Sequence, residues 1–236
     1  MELAIDTSTN TASIALSQQG KVTGDVSWHT RQNHTVELIP RLISLLERNN
    51  ADIHDIKALS VAKGPGSFNG LRVGLATTKG LAFALDIPLV SIGTLEIIAS
   101  PYAASGLPVC PILQVGRSEV AAALFRKDSN QWTKPVPEYV TNIDDICATT
   151  EEKTLFCGEI TTEQTAQLKQ SLGNLARFPT EDTEWSRAGY LAELGWCKIE
   201  TDHYETLSTL QPMYLKKPSI TKPKRRKHDA LSNMRP

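Results

Sequence analysis

The chain has 236 residues, 40% of them hydrophobic and 22% charged, with a formal charge of −1 at pH 7; this describes a soluble globular protein of one large or two small domains. No apolar run approaches the ~20 residues that span a bilayer, and Met1 to Asp6 lack the basic start and apolar core of a secretory signal. Cys110, Cys147, Cys157 and Cys197 show no CxxC spacing, so the expectation is a cytoplasmic protein with reduced thiols.

In chain order, Leu3-Ala4-Ile5 reads as a buried strand ending at Asp6. Ala12 to Leu16 alternates, and Gly20 marks a turn into a strand from Val22 to Trp28. The next stretch, 35–49, has helical periodicity. Val36, Ile39, Ile43 and Leu46 form one apolar stripe, and Leu38, Leu42 and Leu45 form a second beside it. Together they are wider than one sheet contact needs.

A strand over Ile56 to Ala62 then runs into Lys63-Gly64-Pro65-Gly66-Ser67-Phe68-Asn69-Gly70-Leu71-Arg72-Val73-Gly74 and a helix over 67–85. A glycine-rich turn between strand and helix invites a phosphate, but this one fits badly. A Walker loop offers successive backbone N–H groups and ends in Gly-Lys-Ser/Thr. Here Pro65 has no N–H, and no lysine follows the glycines at the required place. The third glycine of a dinucleotide fingerprint falls one residue late, at Gly70. Gly66, Gly70 and Gly74 instead recur at i, i+4, i+8 on one helical face. Each interior glycine costs about 1 kcal/mol against alanine, so the face implies close approach of another backbone. Two readings are open: the glycines pack on this chain's own fold, or they form a seam with another subunit.

A strand over Leu89 to Ile92 and a helix from Thr94 to Ala99 close a β-β-β-α-β-α-β half. A second, weaker copy begins near Pro108, with strands at 109–114, 119–126, 131–135 and 154–157 and helices at 161–172 and 184–198. Sliding the chain by 108 residues sets Asp6 on Gln114 and Leu16 on Leu124, which signals an internal repeat. The expected architecture is α/β: a duplicated actin-like ATPase (ASKHA, ribonuclease H-like) fold. The first lobe covers 1–104 and a reduced second lobe 105–215. Residues 216–236 hold 8 Lys+Arg and 1 acid, a charge of +7, against 17 and 25, a charge of −8, over 1–215. With three prolines and few large apolar residues this tail is expected to be disordered, and its basic part, 216–228, is a candidate RNA contact.

A phosphotransferase of this architecture uses a hairpin loop from each lobe, with an acid in both to manage Mg²⁺. The first loop, Asp6-Thr7-Ser8-Thr9-Asn10, has the acid. The second, Gln114-Val115-Gly116-Arg117-Ser118, has none. Asp6 can equally cap a turn through its side chain. His29 and His34 are spaced wrongly for a metal pair on one helical face. There is no Gly-x-Ser-x-Gly elbow.

Leu3-Ala4-Ile5-Asp6-Thr7-Ser8, Asn33-His34-Thr35 leading to Leu38-Ile39-Pro40, the Gly64 to Gly74 segment, Gly116 to Val120, and Pro212-Met213-Tyr214-Leu215-Lys216 together resemble the TsaB (YeaZ) family. The resemblance is strong over most of 1–126, weak over 127–215, and absent beyond Lys217. It implies a non-catalytic, cytoplasmic paralogue of the transferase TsaD. Such a subunit is required for threonylcarbamoyladenosine modification of tRNAs that read codons beginning with A. It implies a TsaD-type partner, a TsaE-type ATPase and a homodimer when alone. It also implies no metal, catalytic residue or cofactor of its own, with ATP at most at the complex interface, and tRNA contact that is indirect or made through the tail. The pairing surface would comprise His34, Leu38, Leu42, Leu45, Gly66, Phe68, Gly70, Leu71, Arg72, Gly74, Thr77 and Thr78. Asp6, Thr7 and Ser8 would be a vestigial nucleotide loop. Two residues depart from the family pattern: Asn69 stands for Thr, and Gln114 for the Asp of Asp-Ala-Arg. The alternative is an active actin-like kinase, ATPase or peptidase.

Overall fold

A computed structural model describes residues 1–30, 33–116, 118–128, 131–180 and 183–215. The basic tail and Arg117 lie outside the described residues. The first half runs β1 (Glu2–Asp6), β2 (Thr11–Gln18), β3 (Lys21–His29), α1 (His34–Arg48), β4 (Ala58–Ala62), α2 (Phe68–Leu85), β5 (Leu89–Ile92) and α3 (Thr94–Ala99). The second repeats this order: β6 (Val109–Gln114), β7 (Val120–Asp128), β8 (Gln131–Thr141), α4 (Ile143–Thr149), β9 (Thr154–Gly158), α5 (Thr162–Leu172), β10 (Ala176–Arg177) and α6 (Arg187–Ile199). The short helix α4 and strand β10 complete the weaker copy.

Both sheets have five strands, ordered β3-β2-β1-β4-β5 and β8-β7-β6-β9-β10. In each, the first strand of the half pairs antiparallel with the second and parallel with the fourth. The duplication is therefore complete at the level of topology. Alternation along the strands decides which face meets which helix. Leu3, Ile5, Ile14 and Leu16 join the cluster that holds the inner leucines of α1 and α2. Ala4 and Ala15 point the other way, against Ala188, Leu191 and Ala192 of α6. Small residues on that face let α6 lie close, and the backbone N–H of Ala188 donates to Ser13 Oγ at 3.0 Å.

The two halves exchange their last helices. Leu95, Ile98 and Ala99 of α3 pack with Val109, Ala121 and Leu155 of the second sheet. α6, from the second half, covers the first sheet. The division expected at 104/105 thus separates the strands but not these two helices. The second lobe is reduced mainly in its other helices. α4 and α5 have 7 and 11 residues, where α1 and α2 have 15 and 18. Among the described residues no helix is long and apolar enough to cross a membrane.

Candidate functional site

The loop between β1 and β2 is held from three sides. Asp6 is fully buried. Its Oδ1 accepts from the Ser8 backbone N–H at 2.8 Å and from Ser8 Oγ at 2.6 Å, the side-chain turn that aspartate favours at a strand end. From below comes the glycine face of α2. Thr7 Oγ1 donates to the Gly70 carbonyl at 2.8 Å, and the Ser67 N–H donates to the Ser8 carbonyl at 2.6 Å. A Cβ added at Gly66 would run into the Ser8 carbonyl, at Gly70 into the Thr7 carbonyl, and at Gly74 into Thr7 Oγ1. From α1, His34 Nε2 lies 3.1 Å from the Thr9 carbonyl oxygen. A carbonyl only accepts, so this nitrogen carries the proton.

The third side is Arg187, the first residue of α6. Its Nε donates to Asp6 Oδ2 at 2.7 Å, and its Nη2 donates to Thr9 Oγ1 at 2.8 Å and to the Thr11 carbonyl. Its Nη1 lies 3.8 Å from Glu159 Oε1 in the loop after β9. A fully buried carboxylate needs a paired charge, and Arg187 supplies it from 181 residues away. No local pattern around Asp6 points to this partner. Only the requirement that a buried aspartate be neutralised could have prompted a search for a cation.

The matching loop of the second lobe has no carboxylate at its root. Gln114 Nε2 donates instead to the Glu159 carbonyl at 2.9 Å and to Gln164 Oε1 at 2.7 Å. Between the loops lies a cleft of about 540 Å³ lined by Ser8, Thr9, Asn10, Gly66, Phe68, Gln114, Glu119, Glu159 and Tyr214 among others. Its described ionisable side chains include two carboxylates and no lysine or arginine. Among the described residues no group of three His, Cys, Asp or Glu could hold a metal ion. Burial pushes the Cys110 thiol up to about 12 and the Cys157 thiol well above its ordinary value, so neither is a ready nucleophile.

The expected pairing surface is largely turned inward. Leu38, Leu42, Leu45 and Leu71 are buried in the first-lobe core. His34, Gly70, Gly74 and Thr78 are buried, and Gly66 and Thr77 partly so. The glycines lie against their own loop, which decides between the two readings of the i, i+4, i+8 pattern in favour of the intramolecular one. The physical reason is the depth of the β1–β2 loop, whose backbone carbonyls sit where any side chain would clash. What α1 and α2 present outward is a different set. Val36, Ile39, Ile43 and Phe83 are 69%, 42%, 51% and 82% exposed. Leu46, grouped by periodicity with Val36 and Ile39, turns into the core instead. Phe68 and Arg72 remain accessible in part, beside Tyr214.

A family model described as TsaD, tRNA N6-adenosine threonylcarbamoyltransferase, matches residues 11–217. TsaB of Bacillus subtilis, named a tRNA threonylcarbamoyladenosine biosynthesis protein, is 31% identical over 217 residues, covering 91% of this chain and 93% of that protein. The chain belongs to the TsaB family. Its body is a TsaD-like domain. YeaZ from Pseudomonas aeruginosa superposes with a TM-score of 0.72 at 22% identity, over 91% of this chain and 99% of that one. The activator of 2-hydroxyisocaproyl-CoA dehydratase from Clostridium difficile, solved with bound ADPNP, matches at 0.51 and 8% identity over 86% and 96%. The fold is the duplicated actin-like ATPase fold.

Proposed function

We propose that this TsaB-family chain acts in tRNA threonylcarbamoyladenosine biosynthesis as a non-catalytic scaffold that docks to and activates a TsaD-type catalytic subunit. One observation carries the reading. α1 and α2 leave Val36, Ile39, Ile43 and Phe83 exposed, while α4 and α5, at the same positions of the duplicated fold, expose no large hydrophobic side chain among the described residues. Val36, Ile39 and Ile43, at i, i+3 and i+7, share one face of α1, and grouped exposed apolar surface of this kind marks an interaction site. The outer face of α1–α2 meets the partner, its inner face keeps the β1–β2 loop rigid, and the same patch joins two copies when the chain is alone. The reading leaves transfer chemistry to the partner. Asp6 is already neutralised by Arg187, and an amide replaces the second acid. In this reading the chain has no cofactor of its own. ATP enters with a TsaE-type ATPase at the complex interface, and the assembly works in the cytoplasm where its tRNA is.

The test is calorimetric titration of a TsaD-type subunit with the wild-type chain and with Ile39→Glu/Phe83→Glu. The double variant should lose heterodimer formation by more than 100-fold, as hot-spot residues do, while its melting temperature is unchanged. Unaltered affinity overturns the proposal. So does ATP hydrolysis by the isolated chain that disappears in Asp6→Ala.

A further inference from the structure

We infer that a cavity bounded by Arg187 and Glu159 binds a small zwitterion, an α-amino acid with an uncharged, apolar side chain. The cavity has a volume of about 340 Å³, within the range of small-molecule sites. It is separate from the cleft between the hairpin loops: Glu159 borders both spaces, and Arg187 borders this one alone. The exchange of helices between the lobes builds it. Glu159 directly follows β9 of the second sheet, and Arg187 opens α6, which lies on the first. A guanidinium has five N–H donors, and Nε and Nη2 of Arg187 commit three of them to Asp6, Thr9 and Thr11. Both N–H groups of Nη1 remain. The Glu159 carboxylate stands 3.8 Å from Nη1, beyond the reach of about 3.2 Å for a hydrogen bond. Neither Nη1 nor this carboxylate makes a hydrogen bond among the described residues. The two side chains are 20% and 39% exposed, so a ligand can reach both.

Charge fixes the class of ligand. Among the described residues that line the cavity, Arg187 and Glu159 are the charged ones. A simple anion drawn to Arg187 meets Glu159, and a simple cation drawn to Glu159 meets Arg187. A ligand with one charge of each sign satisfies both, its carboxylate on Nη1 and its ammonium on Glu159, through charge-assisted hydrogen bonds. An α-amino acid carries these charges on adjacent carbon atoms, which suits a narrow gap between cation and anion. The cleft between the hairpin loops, with two carboxylates and no described lysine or arginine, lacks the partner for the ligand's carboxylate. The rest of the wall describes the side chain. Ile97, Pro101, Tyr102, Trp185 and Tyr190 supply apolar and aromatic surface. A third charge on the ligand would lose its water there without gaining a partner.

The experiment titrates the full-length chain with L-leucine and with L-phenylalanine by calorimetry at neutral pH. Both should bind saturably. Blocked derivatives separate the two charges: N-acetyl-L-leucine lacks the ammonium, and L-leucinamide lacks the carboxylate. Each should bind about 10- to 100-fold more weakly than L-leucine, the worth of one hydrogen bond to a charged group. Glu159→Gln should weaken L-leucine by the same factor and leave N-acetyl-L-leucine no weaker than with wild type, at an unchanged melting temperature. Ser27→Trp fills the cavity from an exposed position of β3. It should abolish binding of both amino acids, and it locates the site independently should Glu159→Gln lower the melting temperature. The proposal is overturned if neither amino acid binds saturably, if either blocked derivative matches L-leucine, or if Glu159→Gln and Ser27→Trp both bind as wild type. These titrations use the chain alone, so loss of the heterodimer in Ile39→Glu/Phe83→Glu leaves them unaffected and the two readings fail separately.

Discussion

The two lobes share one element order and one strand order, yet they clothe their sheets differently. In the second lobe α4 and α5 bury Ile143, Ile146 and Leu168 against the sheet and turn residues such as Asp144, Glu163 and Gln170 to solvent. In the first lobe α1 and α2 bury an equivalent inner stripe and then present a second apolar stripe outward. Covering a five-stranded sheet needs only the inner stripe, as the second lobe demonstrates. The outer stripe is therefore surplus to covering the sheet, and it is the surface on which the proposed docking rests. The hairpin loops differ in the same sense. One is pinned by an arginine–aspartate pair and the other by a neutral amide.

The comparison can be broken most violently from the inner face. Gly70→Leu would drive a side chain into the Thr7 carbonyl and should abolish folding, read as loss of the cooperative thermal transition. A folded Gly70→Leu that merely failed to bind a partner would restore the intermolecular seam. Next in size is Arg187→Ala. It leaves Asp6 buried and unpaired, and it should cost about 3–5 kcal/mol in a urea titration. Asp6→Asn in the same background should recover part of that loss, because the uncompensated charge is then gone. Leu42→Ala should cost about 2–5 kcal/mol as a core truncation. Ile39→Glu, on the other side of the same helix, should stay within about 0.5 kcal/mol of wild type while partner affinity collapses. Equal destabilisation by the two would erase the distinction between the faces. The matched change in the second lobe, Gln170→Ala on the exposed side of α5, should alter neither stability nor partner affinity beyond those margins. The smallest effect concerns the thiols. At pH 8 a thiol reagent should modify exposed Cys197 of α6 quickly. Buried Cys110 and Cys157, both held protonated by desolvation, should react only on unfolding.

Much of this molecule was legible before any coordinates. Strand alternation, the Gly20 turn, the 108-residue repeat and the resemblance carried by Gly64 to Gly74 lead to the duplicated fold and the family, because local patterning and turn chemistry fix elements and their order. The Asx turn at Asp6 also follows from local chemistry, since the aspartate bonds its neighbour two residues on. Three things were decided only in three dimensions. Periodicity shows that α1 has two apolar stripes but is blind to rotation about the helix axis. That rotation is set by where β3 delivers the chain and by the reach of His34 to the Thr9 carbonyl. Glycine spacing demands a close neighbour without naming it, and the neighbour is the β1–β2 loop of the same chain. The Arg187–Asp6 pair joins residues 181 positions apart, and no local rule links them. It exists because α6 crosses back onto the first sheet and carries its first side chain to the buried carboxylate of Asp6.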